Sequence, residues 1–164
     1  MAFLYSLGLA AWDEGEDMKD RFGKPWVEYR NNVDAWIPRL RPWHGSDQPA
    51  AQLYIAETCG PCSEVRRWFE SRGTVALDIV AAENHQTRDL RRITYDPMDG
   101  TGSEEGVCAF ARGLEHVNLG WAFAGACLRL PGISHFAQIL LDGSGLGPRV
   151  IARRSCKPAS AVPD

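Results

Sequence analysis

The feature that most restricts how this chain can fold is the run Leu53-Tyr54-Ile55-Ala56-Glu57-Thr58-Cys59-Gly60-Pro61-Cys62. A short apolar, β-prone stretch leads into two cysteines, and a helical pattern begins at once. Cys62, Val65, Trp68 and Phe69 recur at three- and four-residue intervals, as one face of a helix requires. Gly73 supplies the stop, because a left-handed residue after a helix costs glycine little. The pattern predicts a strand, a turn carrying Cys59, and a helix that starts there. Free N–H groups and the dipole at a helix N-terminus stabilise negative charge, so a lowered pKa and a useful thiolate fraction are expected for Cys59. Cys62, one turn further in, is placed to close a disulfide and release whatever Cys59 has attacked. These residue types at this spacing point to dithiol–disulfide exchange.

Two cysteines can also form half of a zinc site. A structural zinc takes four ligands, however, and Cys108, Cys127 and Cys156 are scattered, with no second CxxC and no HxxxH. Metal binding through the pair therefore ranks below redox chemistry, and no cofactor is called for.

At 164 residues the chain can hold one ordinary domain with an appendage and can bury a real core. A net charge of −3 offers no basic field and argues against a nucleic-acid partner. The clustered Arg66, Arg67, Arg88, Arg91 and Arg92 read as solvated faces. Five cysteines are an odd number without the density of a disulfide scaffold, and no basic–apolar–small leader is visible. A reducing cytoplasm fits best, since there a CxxC is catalytic and not structural. The longest uncharged runs, Met1–Trp12 and Val117–Leu128, fall short of the about 20 apolar residues a bilayer span needs.

Residues 1–44 differ in character from the rest. An apolar start is followed by an acidic cluster (Asp13, Glu14, Glu16, Asp17), then by interleaved rings and arginines: Trp26, Tyr29, Arg30, Trp36, Arg39, Arg41 and Trp43. Such a mixture suits the cytosolic face of a membrane, where rings and long cations both find favourable surroundings. A helical arm packed on the globular unit, or one that drives formation of a homodimer, accounts for the same residues. Residues 45–51 form a polar linker marked by Gly45 and Pro49. Within residues 52–150, Thr74–Val80 is expected to be a second strand, Gln86–Arg91 a short helix and Arg92–Tyr95 a third strand. Asp96-Pro97-Met98-Asp99-Gly100 is then a turn into a fourth. Ser103-Glu104-Glu105 has the signature of a helix start. Val107, Phe110, Ala111, Leu114 and Val117 give that helix its apolar face, and helical patterns continue to Pro131 and through Ile133, Phe136, Ala137, Leu140 and Leu141. Residues 151–164 are expected to be a disordered tail.

A strand, a CxxC helix, a strand, a hairpin and a helix follow the order of a minimal thioredoxin or glutaredoxin core. The fold class expected is thus α/β, with a small mixed sheet and additional C-terminal helices. Gly106-Val107-Cys108-Ala109, then Trp121, then Leu130-Pro131 behind the C-G-P-C motif resemble the DCC-type thiol-disulfide oxidoreductases over roughly residues 52–150. The resemblance implies Cys59 as attacking and Cys62 as resolving thiol, Gly60, Pro61 and Glu57 as supporting residues, and a protein or small-thiol disulfide as substrate. Ala56 stands where that group has an aspartate, and no proline precedes the third strand in Arg92-Ile93-Thr94. The acidic pair Glu16-Asp17, then Phe22-Gly23, then Val33-x-x-Trp36-Ile37-Pro38 resembles the C-terminal tail of isoprenylcysteine carboxyl methyltransferase-like membrane proteins. In those proteins the acidic pair lies near the methyl-donor site, but residues 1–44 alone could not enclose a donor. The resemblance leads to the alternative reading, a non-enzymatic accessory or interaction domain attached to such a protein.

His85 and His116 could serve the thiols as proton relays, although a surface or core histidine is the commoner case. Glu64 reads as a surface acid in the first turn of the CxxC helix, and Cys108 and Cys127 as packing residues. Gly143-Ser144-Gly145-Leu146-Gly147 does not open a helix after a strand and is not a phosphate loop.

Overall fold

The computed structural model describes residues 2–34, 36–85 and 87–151, with side chains in the first helix only at residues 8, 12 and 14 onward. It is a mixed α/β structure with a four-stranded sheet. The central strand β1, Ala51–Ile55, is buried almost throughout, and so reads as a continuous apolar run rather than an alternating one. It pairs in parallel with β2, Leu77–Ala81, in the register Ala51↔Leu77 to Ile55↔Ala81. A parallel pair needs a crossover, and helix α3, Gly60–Arg72, supplies it. On its other side β1 pairs antiparallel with β3, Thr94–Asp96, and β3 pairs antiparallel with β4, Glu104–Glu105. The order across the sheet is β2-β1-β3-β4.

Alternation along β1 sends its side chains to two different cores. Ala51, Leu53 and Ile55 pack with Phe69 of α3 and with Ala109 and Leu114 of α4, Val107–Glu115. Tyr54 and Ala56 pack on the opposite face with Ala82 and Leu90, and the two cysteines border that cluster. One face of the sheet is thus covered by helices and the other by irregular chain. Phe69 is completely buried, and Gly113 of α4 makes room for it: a Cβ there would meet Phe69 Cζ at 2.8 Å. Helix α5, Leu119–Leu128, begins at Asn118, whose side chain accepts from the Trp121 N–H, and α6 spans Pro131–Leu141.

Several local expectations give way to non-local pairing. Ser103-Glu104-Glu105 does not open a helix. Glu104 and Glu105 pair with Tyr95 and Thr94 as β4, and α4 begins at Val107, behind Gly106 at φ 64°. Among the described residues of 86–91 there is no helix. The His85 Nδ1 accepts from the Arg88 N–H at 3.2 Å, and Leu90 bridges to Ile151. That bridge also pairs the first residue of the expected tail, while residues 152–164, and with them Cys156, lie outside the described residues. β2 starts at Leu77 and not at Thr74, after a bend at Ala76 with φ 53°.

The arm folds as two helices, α1, Ala2–Phe22, and α2, Lys24–Asn32, turning at Gly23 with φ 61°. Trp26 Nε1 donates to the Gly15 carbonyl at 3.1 Å, which closes the pair into a hairpin. Tyr29 stacks with Trp26 and meets Trp43 edge-on. Glu28 accepts from the backbone N–H and hydroxyl of Ser46, and the Leu40 carbonyl accepts from the Leu119 N–H at 2.8 Å, so the arm is joined to the start of α5. Among the described residues no helix is long and apolar enough to cross a membrane.

In an open helix, Gly→Ala gains about 1 kcal/mol of propensity. At Gly113 the new methyl would press on an immobile ring, and overpacking of this kind costs about 1–3 kcal/mol. Gly113→Ala is therefore expected to lower stability in urea denaturation. Phe69→Leu in the same background should recover part of that loss, although alone it destabilises.

Candidate functional site

The loop after β1 ends on Cys59, which is the N-cap of α3 in extended conformation (φ −105°, ψ 121°). Its carbonyl accepts from the Ser63 N–H at 3.0 Å, the first bond of the helix. Gly60 and Pro61 occupy the first turn, where a missing proline N–H removes no helical bond. Cys62 follows within the same turn. Both thiols are free and half-buried. The Cys62 pKa is pushed up to about 12, first by burial, then by its hydrogen bond to Cys59 and the charge of Cys59, with a smaller contribution from Glu83. Cys62 is therefore the protonated partner, and Cys59 is the thiol at the helix end.

Glu83 is the residue that sequence reasoning missed. It lies in a 3₁₀ turn, Ala82–Asn84, directly after β2, and its side chain is buried. Its carboxylate accepts from the Glu57 N–H at 3.0 Å and from the Thr58 N–H and hydroxyl, each at 3.3 Å. Burial favours its neutral form, but the backbone N–H groups of Glu83, Glu57 and Thr58 and the Thr58 hydroxyl outweigh burial, and the net pKa is lowered. An ionised carboxylate thus clamps the two residues that precede Cys59. The sequence showed only an acid in a charged segment; no spacing links it to a loop 26 residues earlier.

Glu57, expected to support the motif, turns its carboxylate to Arg66 at 3.0 Å, and Arg66 also reaches Glu70 and the Ile79 carbonyl. The part Glu57 plays in the loop is through its backbone N–H. Glu64 is exposed on α3. Of the two histidines, His85 lies at the same end of the sheet as the thiols, edge-on to Tyr54 with centroids 4.8 Å apart. His116 lies at the opposite end. It bonds the Val75 carbonyl at 2.8 Å and the Tyr95 hydroxyl at 3.0 Å, and burial lowers its pKa. His116 is a core histidine and not a relay. Cys108 on α4 and Cys127 on α5 are free. Among the described residues no group of three or more His, Cys, Asp or Glu side chains could hold a metal ion. Compared with models of known families, with curated proteins and with solved structures, the chain finds no match.

Because the folded-state pKa of Glu83 is depressed, its stabilising contribution is complete above the ordinary carboxyl range and is lost as pH falls through the folded value. Glu83→Gln should flatten the acid limb of a stability–pH profile measured by denaturation. Glu83→Ala, which leaves the Glu57 and Thr58 donors without this acceptor, should cost about 1–3 kcal/mol at neutral pH.

Proposed function

We propose that this chain is a thiol-disulfide oxidoreductase, with Cys59 as nucleophile and Cys62 as resolving thiol. The observation that carries the proposal is the placement of Cys59 at the N-cap of α3 with the protonated Cys62 in the same turn. The Cys59 thiolate attacks one sulfur of a substrate disulfide, forms a mixed disulfide and expels the other sulfur as a thiolate. Cys62 then gives up its proton and attacks the Cys59 sulfur. The Cys59–Cys62 disulfide forms, and the second substrate sulfur leaves and takes a proton. The substrate gains two electrons and the dithiol loses two. Reversed, the same steps oxidise a dithiol.

The sheet order β2-β1-β3-β4, with its one parallel and two antiparallel pairings, supports a thioredoxin- or glutaredoxin-like core, as does the position of α3 and α4 on one face. Ile93 stands before β3 where thioredoxins place a cis-proline, so docking of a substrate chain through that proline does not carry over to this chain. The resemblance to DCC-type enzymes supports a protein or small-thiol disulfide as the substrate class, and a CxxC that is catalytic and not structural supports a reducing cytoplasm as its place of action. The methyltransferase-tail resemblance of residues 1–44 adds the cytosolic face of a membrane. The runner-up is an accessory domain whose thiols are idle, and the apolar surface of α5 and α6 favours it.

Redox titration with glutathione, read by mass, separates the two. The oxidoreductase reading expects a loss of two hydrogens localised to a Cys59–Cys62 peptide pair. It also expects Cys62→Ser to accumulate a mixed disulfide on Cys59, and Cys59→Ser to form neither species. A chain that remains a dithiol across the whole titration, or is glutathionylated equally at all its cysteines, would sink the enzyme. In alkylation near neutral pH, Cys59 should be labelled while Cys62 is spared.

A further inference from the structure

Beyond α6 the chain returns along the loop before β3. There the Arg91 carbonyl accepts from the Arg149 N–H at 3.1 Å and the Leu90 carbonyl from the Ile151 N–H at 2.9 Å. Leu90 and Ile151 form an antiparallel bridge outside the four-stranded sheet. Leu90 belongs to the buried cluster of Tyr54, Ala56 and Ala82, and Ile151 packs against that cluster as Cys59 and Cys62 do. The bridge thus borders the same apolar floor as the two thiols.

Its two sides are held unequally. The loop is fastened from several directions: His85 Nδ1 accepts from the N–H groups of Thr87 and Arg88, and the Arg88 guanidinium reaches Ser103 at 2.8 Å and Glu105 at 3.1 Å. In the returning segment Pro148, Arg149 and Val150 are exposed and Ile151 is half-buried. The Arg149 side chain bonds back to the Gly145 carbonyl and not to the loop. Two main-chain bonds and one apolar side chain therefore hold residues 149–151 in place. A main-chain bond of this kind shifts an equilibrium by about two- to tenfold, so the segment is releasable.

We infer that the Leu90–Arg91 edge docks the extended chain of a polypeptide disulfide, and that residues 149–151 fill it as an internal competitor which the substrate displaces. The inference rests on the thiol-disulfide reading for its chemistry and adds the substrate class, a polypeptide and not a small thiol. Main-chain bonds recognise no particular side chain, so an extended chain of another sequence replaces the segment bond for bond, with an apolar residue in the place of Ile151. A small disulfide has no main chain to offer the two carbonyls and gains nothing from the edge. While the edge is filled, the affinity for a polypeptide is reduced by the fraction of molecules whose edge is open.

The test mixes the reduced full chain with an excess of either of two disulfides and follows the Cys59–Cys62 disulfide by mass. One is the disulfide-linked dimer of an unstructured, cysteine-containing peptide; the other is hydroxyethyl disulfide, which has no peptide main chain. Ile151→Pro removes the N–H that Leu90 accepts. It should raise the second-order rate constant for the peptide disulfide by about two- to tenfold, the worth of one such bond, and leave that for hydroxyethyl disulfide unchanged. Ile151→Asp, which keeps the N–H but not the apolar contact, should act in the same direction, and both variants should melt as the parent does. A peptide of residues 147–153, which contains no cysteine, should bind Ile151→Pro more tightly than the parent and slow its reaction with the peptide disulfide. The inference alone is overturned, with the oxidoreductase standing, if Ile151→Pro leaves the peptide rate unchanged, speeds both disulfides equally, or fails to bind the 147–153 peptide. If neither parent nor variant reacts with either disulfide, the oxidoreductase reading falls and the substrate class falls with it.

Discussion

The burial of β1 on both faces is the constraint from which the rest of the structure follows. Leu53 and Ile55 can leave water only if α3 and α4 cover one side, and Tyr54 and Ala56 only if the chain after β2 covers the other. A strand with this requirement must be central, and a parallel neighbour demands the crossover that α3 provides. The chain then leaves the sheet at its carboxyl edge after Ile55, and a short loop brings it to Cys59, the N-cap of α3. Hydrophobic burial therefore places the thiol at a helix end, although none of the buried side chains has redox chemistry of its own.

Around that thiol the structure concentrates negative charge and donors together. Glu83 is ionised and buried because backbone N–H groups and a hydroxyl surround it, and its field helps to keep Cys62 protonated. The same carboxylate fixes the Glu57–Thr58 backbone, so the loop is held by a partner from the turn after β2 and not by Cys59 itself. In the proposed exchange, resolution of a mixed disulfide would require Cys62 to lose its proton; a Cys59 bonded to a substrate sulfur would no longer oppose that loss by its charge, while burial and Glu83 still would.

What could be read from the sequence was local and periodic. The strand, the turn, the apolar stripe of α3 and the stop at Gly73 all lie within about twenty residues and obey simple rules. Where two distant segments compete with a local signal, the sequence misled. Ser103-Glu104-Glu105 has the residues of a helix start, but the unpaired edge of β3 takes Glu104 and Glu105 into the sheet. His85 and Ile151 similarly draw residues 87–90 away from a helix. Glu83 could not be found at all, because its meaning lies in a contact with a loop on another element. Periodicity correctly marks an apolar stripe on α6 but says nothing about what the stripe faces.

The attachment of α6 shows why that distinction matters. A helix held by hydrophobic packing must turn its apolar side inward, because the attraction is non-directional and scales with area. One held by the Arg92–Asp142 fork and the Gln138 bonds to Val107 and Asp142 can be docked through its polar side. Charge-assisted, two-pronged bonds supply the orientation that packing would otherwise give. Arg129 does the same for the end of α5, reaching Glu115 at 2.8 Å and Glu104 at 3.7 Å. The core from β1 to α4 is thereby complete without the outer faces of α5 and α6. Their burial free energy, about 25 cal/mol per Å² of apolar area, is not used in folding and remains for an environment outside the chain.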